Sequence, residues 1–371
     1  MQNRLAAYAH LATQTLRTGY YAALYRISQN RAASMGAEAG GVKITRPVPS
    51  LRELLQDVLK LQARDAKNIR DGLYPIPIEE GGSLADHIQS LRAMFEDLPQ
   101  SAQRRAERNA DEAASLPEAK GLPAYYTQNF HYQSGGYLTA ESAKVYDLQV
   151  ETLFMGAAAA MRRQAIPPIA KFTRGRDQRA LNVLDVACGS GRFLHQLAQA
   201  FPAMPLTGTD LSQAYLDEAS RYLEGRRNIS LQQANAEALP FVDGSFDIVT
   251  CVFLYHELPN EIRHYVTSEI ARVLKPGGLF VFVDSLQWGD ASAYDGLLEA
   301  FPQRFHEPYY LDYLHDKLEG PEGKFASADL ITVEAFPAFL SKVIVCRKAL
   351  TANESGERRP ACAETPSRET M

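Results

Sequence analysis

The stretch Val183-Leu-Asp-Val-Ala-Cys-Gly-Ser-Gly191 decides how this chain is read. Its apolar start has the length of a buried strand, and its Gly-Ser-Gly end gives a tight turn opening into the helical run Arg192 to Ala200. Glycines there let the backbone approach a ligand closely, and the first turn of a helix offers N–H groups with no partner inside the helix. A Gly-x-Gly turn alone is weak evidence, but two neighbours sharpen it. Asp185 places a carboxylate in the strand's end, where it would repel a pyrophosphate and suit a cation. The third glycine of a dinucleotide fingerprint is missing, because Leu194 stands there. The loop therefore fits a cationic amino-acid nucleoside, S-adenosylmethionine, better than a dinucleotide.

Downstream the pattern alternates. Strands are expected at Pro205 to Thr209, Ile229 to Gln233 (edge-like), Phe246 to Leu254 and Leu279 to Asp284. Helices are expected at Gln213 to Glu224 and Glu261 to Leu274, the latter ended by Lys275-Pro-Gly-Gly278. Two late strands, Leu330 to Ala335 and Leu340 to Cys346, complete the set, with Tyr309 to Lys317 helical before them. Such alternation implies an α/β fold, Rossmann-like and doubly wound, with a mostly parallel seven-stranded sheet. Asp210 closes the second strand, where an acid can hold both ribose hydroxyls, and Ser212 is the better helix cap.

Upstream of the alternation the chain reads helical. Ser50 starts one helix through Leu51, Leu54, Leu55, Val58, Leu59 and Leu61, and Ser83 a second through Leu91, Met94 and Phe95, extending towards Ala114. Pro117 to Pro123 is a linker, followed by Tyr125 to Tyr137, dense in aromatic and amide side chains, and then by a helix over Ser142 to Gln164. The domains expected are a helical extension at 1–117, an aromatic lid, linker and helix at 118–178, the nucleotide-binding unit at 179–350, and a disordered tail at 351–371.

Asn235-Ala-Glu-Ala-Leu-Pro-Phe241, Phe246-Asp-Ile-Val-Thr-Cys-Val-Phe-Leu-Tyr-His-Glu-Leu-Pro259 and Arg272-Val-Leu-Lys-Pro-Gly-Gly278 follow in order. With them, residues 180–285 resemble class I S-adenosylmethionine-dependent methyltransferases of the type 11, ubiquinone/menaquinone-methylase-like group. The resemblance implies cofactor contacts from Asp185, Ala187, Gly189, Gly191, Asp210, Leu211, Asn235, Ala236, Val252 and Phe253. An Asp is usual where Asn235 stands, but its amide oxygen still accepts a hydrogen bond from an adenine amino group.

Methyl transfer is an in-line displacement that needs positioning and, for some acceptors, removal of a proton. His256 stands just beyond the fourth strand, where ligands bind in open α/β sheets. It is read as a general base or a polar substrate contact, with Glu257 orienting it; a helix-capping role is the plain alternative. Tyr255 and Asp284 share that sheet edge. Tyr125, Tyr126, His131 and Tyr132 are read as a lid with rings facing a sulfonium, or as a staple between the chain's two halves. The aromatic stretch also resembles a segment of some bacterial and algal methyltransferases.

The acceptor expected is a small aromatic, quinone-like or lipidic molecule. RNA or protein methylation and non-catalytic cofactor binding are the competing readings. Nucleic acid is not an expected partner, because the net charge is −5 and no Asn-Pro-Pro-Tyr-type clamp follows the fourth strand. A hydrophobic share of 46% marks a folded protein. Cys188, Cys251, Cys346 and Cys362 match neither metal knuckles nor a disulfide framework, so no metal is expected and a cytoplasmic setting is. Met1 to Ala37 has arginines and no acid, which suits a docked helix through Leu5, Tyr8, Leu16, Tyr20 and Leu24, peripheral membrane contact, or a transit peptide.

Overall fold

A computed structural model describes residues 2–35, 43–78 and 83–350; the expected tail at 351–371 and the Gly81-Gly82 break lie outside the described residues. Among the described residues the sheet has seven strands: β1 (Val183–Val186), β2 (Leu206–Asp210), β3 (Ile229–Gln233), β4 (Phe246–Val252), β5 (Leu274–Ser285), β6 (Leu330–Ala338) and β7 (Ser341–Lys348). Their order is β3-β2-β1-β4-β5-β7-β6, and only β7 runs antiparallel to its neighbours. This is the doubly wound sheet expected, with β3 at an edge. Order reverses between β1 and β4, so a crevice opens beyond their carboxyl ends. The core strands are apolar throughout because both faces are covered, as the fully buried Leu184, Ile248, Val249 and Phe282 show.

The helices beside the sheet include α7 (Arg192–Ala200), α8 (Gln213–Tyr222) and α9 (Asn260–Val273), followed by α10 (Asp295–Arg304) and α11 (Tyr310–His315). Lys275 to Gly278 bulges out between the paired residues Leu274 and Leu279, so the expected turn sits inside β5. The late strands run longer than expected, since Phe339 at φ +63 lets a two-residue turn join paired Ala338 and Ser341.

Ahead of the sheet lie α1 (Gln2–Ser34), α2 (Leu51–Arg70), α3 (Leu84–Glu107), α4 (Ala140–Leu153), α5 (Ala158–Arg163) and α6 (Ile166–Thr173). Two expectations are corrected here. The single helix over Ser142 to Gln164 is broken at Met155 and Gly156, both left-handed at φ +52 and +77. Glu151 caps the second piece by accepting from the Ala159 N–H at 2.9 Å. A Cβ on Gly156 would meet the Tyr21 ring at 2.9 Å, so the break seats α1. The docking face of α1 is also not the one expected. Leu5, Tyr8, Leu16 and Tyr20 are exposed and only Leu24 is buried. The buried side carries Ala7, His10, Gln14, Thr18 and Tyr21 instead, because α2 offers polar partners. Gln62 donates to the Gln14 carbonyl and to Thr18 Oγ1.

Asp65, fully buried on α2, is the hub of this packing. Arg163 grips both its oxygens at 2.9 and 2.6 Å, His10 lies 2.7 Å away, and the Tyr74 hydroxyl donates at 2.5 Å. Burial would raise the Asp65 pKa, but Arg163 and the His10 hydrogen bond hold it far below the ordinary range. One carboxylate thereby ties α1 and α2 to α5, which rests against α7. No helix among the described residues is long and apolar enough to cross a membrane.

Replacing Asp65 with Ala takes the carboxylate from a buried Arg163 guanidinium, and the chain should lose about 3–5 kcal/mol of stability. Chemical denaturation monitored by circular dichroism measures this, and an unchanged midpoint would contradict the hub.

Candidate active site

At the carboxyl ends of β1, β2 and β4 lies a cavity of about 750 Å³. Ala187, Gly189, Asp210, Leu211, Asn235, Ala236, Val252 and Phe253 line it, together with Tyr125, Tyr126, Tyr137, Tyr146 and Tyr215. Asp210 accepts from the Gly189 N–H at 2.8 Å through one oxygen and from the Ser212 N–H at 2.9 Å through the other. The acid thus locks the glycine turn to the start of α8, and burial raises its pKa against these bonds. A carboxylate has lone pairs to spare beyond two such bonds, so it can also accept from a ligand hydroxyl. Gly189 has φ +54 and open space where a Cβ would be, as a loop touching a ligand requires. Ala187 and Phe253 hold φ +56 and +57 at the tips of β1 and β4. Two strained non-glycine residues facing one cavity are what a preorganised binding wall shows.

Two of the expected cofactor residues do not line this cavity. Asp185 is buried beneath it, accepting from Thr250 Oγ1 at 2.6 Å, and burial pushes its pKa up to about 7. Gly191 packs instead: a Cβ there would meet Leu223 at 2.9 Å and Ala219 at 3.1 Å, so it lets α8 close on the turn. Asn235 is held by Glu237, whose N–H donates to its amide oxygen at 3.0 Å.

The aromatic stretch lies over the cavity. Tyr125 donates to Glu237 Oε1, latching the stretch to the loop after β3. Tyr137 stacks on Phe130 at 5.2 Å and meets Tyr146 and Tyr215 edge-on at 5.7 and 5.6 Å. Tyr132 packs near His306 rather than lining the cavity. Tyr255 belongs to the core: it is fully buried against Phe282 and Phe325, its hydroxyl 2.9 Å from Thr267.

A second cavity of about 670 Å³ adjoins the first, sharing Tyr146, Phe253 and Glu257 with it. Its walls are mostly apolar: Val150, Leu153 and Phe154 of α4 and the turn after it, Leu297, Leu298 and Phe301 of α10, and Leu340 of the late hairpin. His131 and His256 add polar points to its lining. Through Leu153, Phe154, Leu297, Phe301 and Leu340 it continues into a wider groove between α1 and α10. Tyr146, Tyr215, Phe154 and Leu297 were not among the expected site residues. Tyr215 had a signal, standing five residues after Asp210 at the same sheet edge, whereas Leu297 had none because α10 carries no motif.

His256 meets the second cavity from the turn Tyr255–Glu257. Its Nδ1 is 2.6 Å from Asp284 Oδ1, and Asp284 also accepts from the Tyr255 and Ser285 N–H groups, each at 2.7 Å. Asp284, and not Glu257, is therefore the group that orients the ring. Burial alone would lower the His256 pKa, but the Asp284 charge and hydrogen bond push it up to about 10. Glu257 Oε1 lies 3.7 Å from His256 Nε2 and accepts from the Tyr137 hydroxyl at 2.6 Å. Burial raises its pKa to about 7, opposed by the His256 charge.

Residues 183–278 match the family model described as a methyltransferase domain. The chain is 38% identical over 112 residues to the demethylmenaquinone methyltransferase of Lactococcus lactis, covering 29% of this chain and 44% of that protein. It is 33% identical over 140 residues to the ubiquinone/menaquinone biosynthesis C-methyltransferase of Desulfotalea psychrophila, covering 38% and 53%. The chain thus spans about half the length of the relatives it matches. Among solved structures, an S-adenosylmethionine-dependent methyltransferase from Aquifex aeolicus aligns at TM-score 0.37 and 16% identity, over 51% of this chain and 93% of that one.

Replacing Asp210 with Ala removes the lock on the glycine turn, and S-adenosylmethionine affinity should fall by about tenfold or more, as loss of a charge-assisted contact does. Calorimetric titration checks this; wild-type affinity would separate Asp210 from the cofactor.

Proposed function

We propose that this chain, which carries a class I S-adenosylmethionine-dependent methyltransferase domain at residues 183–278, transfers a methyl group to an apolar, quinone-like small molecule. One observation carries the reading: the nucleotide-side cavity and an apolar cavity meet at Tyr146, Phe253 and Glu257. S-adenosylmethionine supplies an electrophilic methyl on a sulfonium. The chain's residues fit that cofactor, with Gly189 open to it, Asp210 and Asn235 facing its polar groups, and Val252, Phe253 and Leu258 offering an apolar wall. The rings of Tyr126, Tyr137, Tyr146 and Tyr215 suit a nearby cation and exclude water.

The acceptor then sits in the second cavity, whose mostly apolar lining with a few polar points is that of small-molecule sites. Its reacting carbon or heteroatom faces the shared opening, held in line by Phe253 and Phe154, whose rings stack at 6.1 Å. His256, its ring fixed by Asp284, is placed to contact a polar group of the acceptor, with Glu257 beside it at the opening. The quinone-like class draws on what the matched relatives are named for, demethylmenaquinone and ubiquinone/menaquinone biosynthesis. The apolar groove between α1 and α10 would take any tail on such a ring.

Two variants test this with an alkylated naphthoquinol as acceptor and labelled methyl donor. Leu297→Trp fills the passage and should cut turnover by about a hundredfold while cofactor affinity stays as in wild type. His256→Ala should lower turnover similarly through misplacement of the acceptor. Full activity in both would remove the apolar cavity from the reaction.

A further inference from the structure

Three side chains from distant parts of the chain converge beside the acceptor cavity. His131 comes from the turn Phe130–Tyr132, Glu257 from the turn after β4, and Glu307 from the loop between α10 and α11. One ligand atom of each lies within 4.8 Å of the other two, and His131 Nε2 is 3.1 Å from Glu307 Oε1. The His131 ring is braced by the edges of Phe301 and Phe305 at 6.0 and 5.8 Å.

Glu307 is the anomaly. It is 2% exposed and neither carboxylate oxygen makes a well-formed hydrogen bond; the His131 ring pairs with Oε1 at 3.1 Å without the geometry of one. A buried carboxylate with so little hydrogen bonding is unfavourable, and a second one beside it adds repulsion. Asp284 nearby shows the ordinary solution, since two N–H groups and the His256 ring all point at it. Glu257 has only the Tyr137 hydroxyl. Two carboxylates and an imidazole in this arrangement match the charge of a divalent cation. A mixed set of one nitrogen and two oxygens suits zinc, manganese or iron, whereas magnesium and calcium favour oxygen alone.

We propose that His131, Glu257 and Glu307 bind one divalent first-row transition ion at the wall of the acceptor cavity. Three protein ligands leave coordination positions free, and His131 and Glu257 both line the cavity. The ion would therefore hold an oxygen of the acceptor and fix the ring's orientation towards the opening at Tyr146 and Phe253. That second role rests on the acceptor reading above; ion binding itself does not.

The full chain, stripped with a chelator, is titrated calorimetrically with manganese and with zinc chloride. The expected result is one ion per chain, with affinity lowered by about a hundredfold in both His131→Ala and Glu307→Gln. S-adenosylmethionine affinity, measured in the same samples, should be unchanged and so reports that the variants are folded. Cobalt substitution of the wild-type chain adds a visible spectrum that reports nitrogen ligation without any variant. Absence of ion binding would leave the two carboxylates sharing a proton and overturn the proposal. Equal binding in wild type and both variants would place the ion elsewhere and overturn it too. Failure of the wild-type chain to bind S-adenosylmethionine would instead strike the methyltransferase reading, leaving the ion result to stand by itself.

Discussion

Asp284 sits at the carboxyl end of β5 with no exposure to water, and three donors converge on it. Its position follows from register: β5 pairs with β4 through Val283 and Val252, so the next residue stands where the chain leaves β4. A carboxylate there fixes the turn Tyr255–Glu257 through the backbone and fixes His256 through its ring. Without it Phe253 and Glu257, two of the three residues shared by both cavities, would have no anchored turn between them. The strained φ of Phe253 is held from the same strand, since its N–H donates to the Val283 carbonyl at 2.8 Å. Geometry at the opening is thus set by backbone bonds within the sheet, the stiffest part of the molecule.

The sheet alone offers only half of the proposed site. The apolar half comes from α4, α10 and the β6–β7 hairpin, and their placement depends on how the leading helices are fastened. Asp65 and Glu151 do that fastening. Asp65 gathers His10, Tyr74 and Arg163; Glu151 faces Arg17 at 3.3 Å and Arg162 at 3.2 Å and caps α5. Buried ion pairs contribute little net stability, yet they punish misplacement strongly, which suits elements that must sit in one register. The leading helices in this sense belong to the proposed site, although the nucleotide-side cavity is lined from this half of the chain only by the aromatic stretch and Tyr146.

Much of the sheet was legible in the sequence because its signals are local. The apolar run from Val183, the glycine turn and the cap at Ser212 each act within a few residues, and α7 begins and ends at the expected Arg192 and Ala200. Eight of the ten residues expected to touch the cofactor line one cavity, and they are legible for the same reason. Asp185 and Gly191 do not line that cavity, because one carboxylate oxygen accepts from Thr250 beneath it and the glycine gives room for α8. Side chains whose partners lie far along the chain left no trace. Glu307 meets His131 across about 180 positions, and nothing in its own neighbourhood announces it. On α1 hydrophobic periodicity misled, because the buried stripe is polar and satisfied by α2.

The proposed methyl transfer depends most on the meeting of the two cavities. A crystal structure with S-adenosylhomocysteine tests it directly. The sulfur should lie at the opening bounded by Tyr146, Phe253 and Glu257, with the missing methyl's direction pointing into the apolar cavity. A sulfur turned towards solvent, with the apolar cavity sealed from it, would contradict the account.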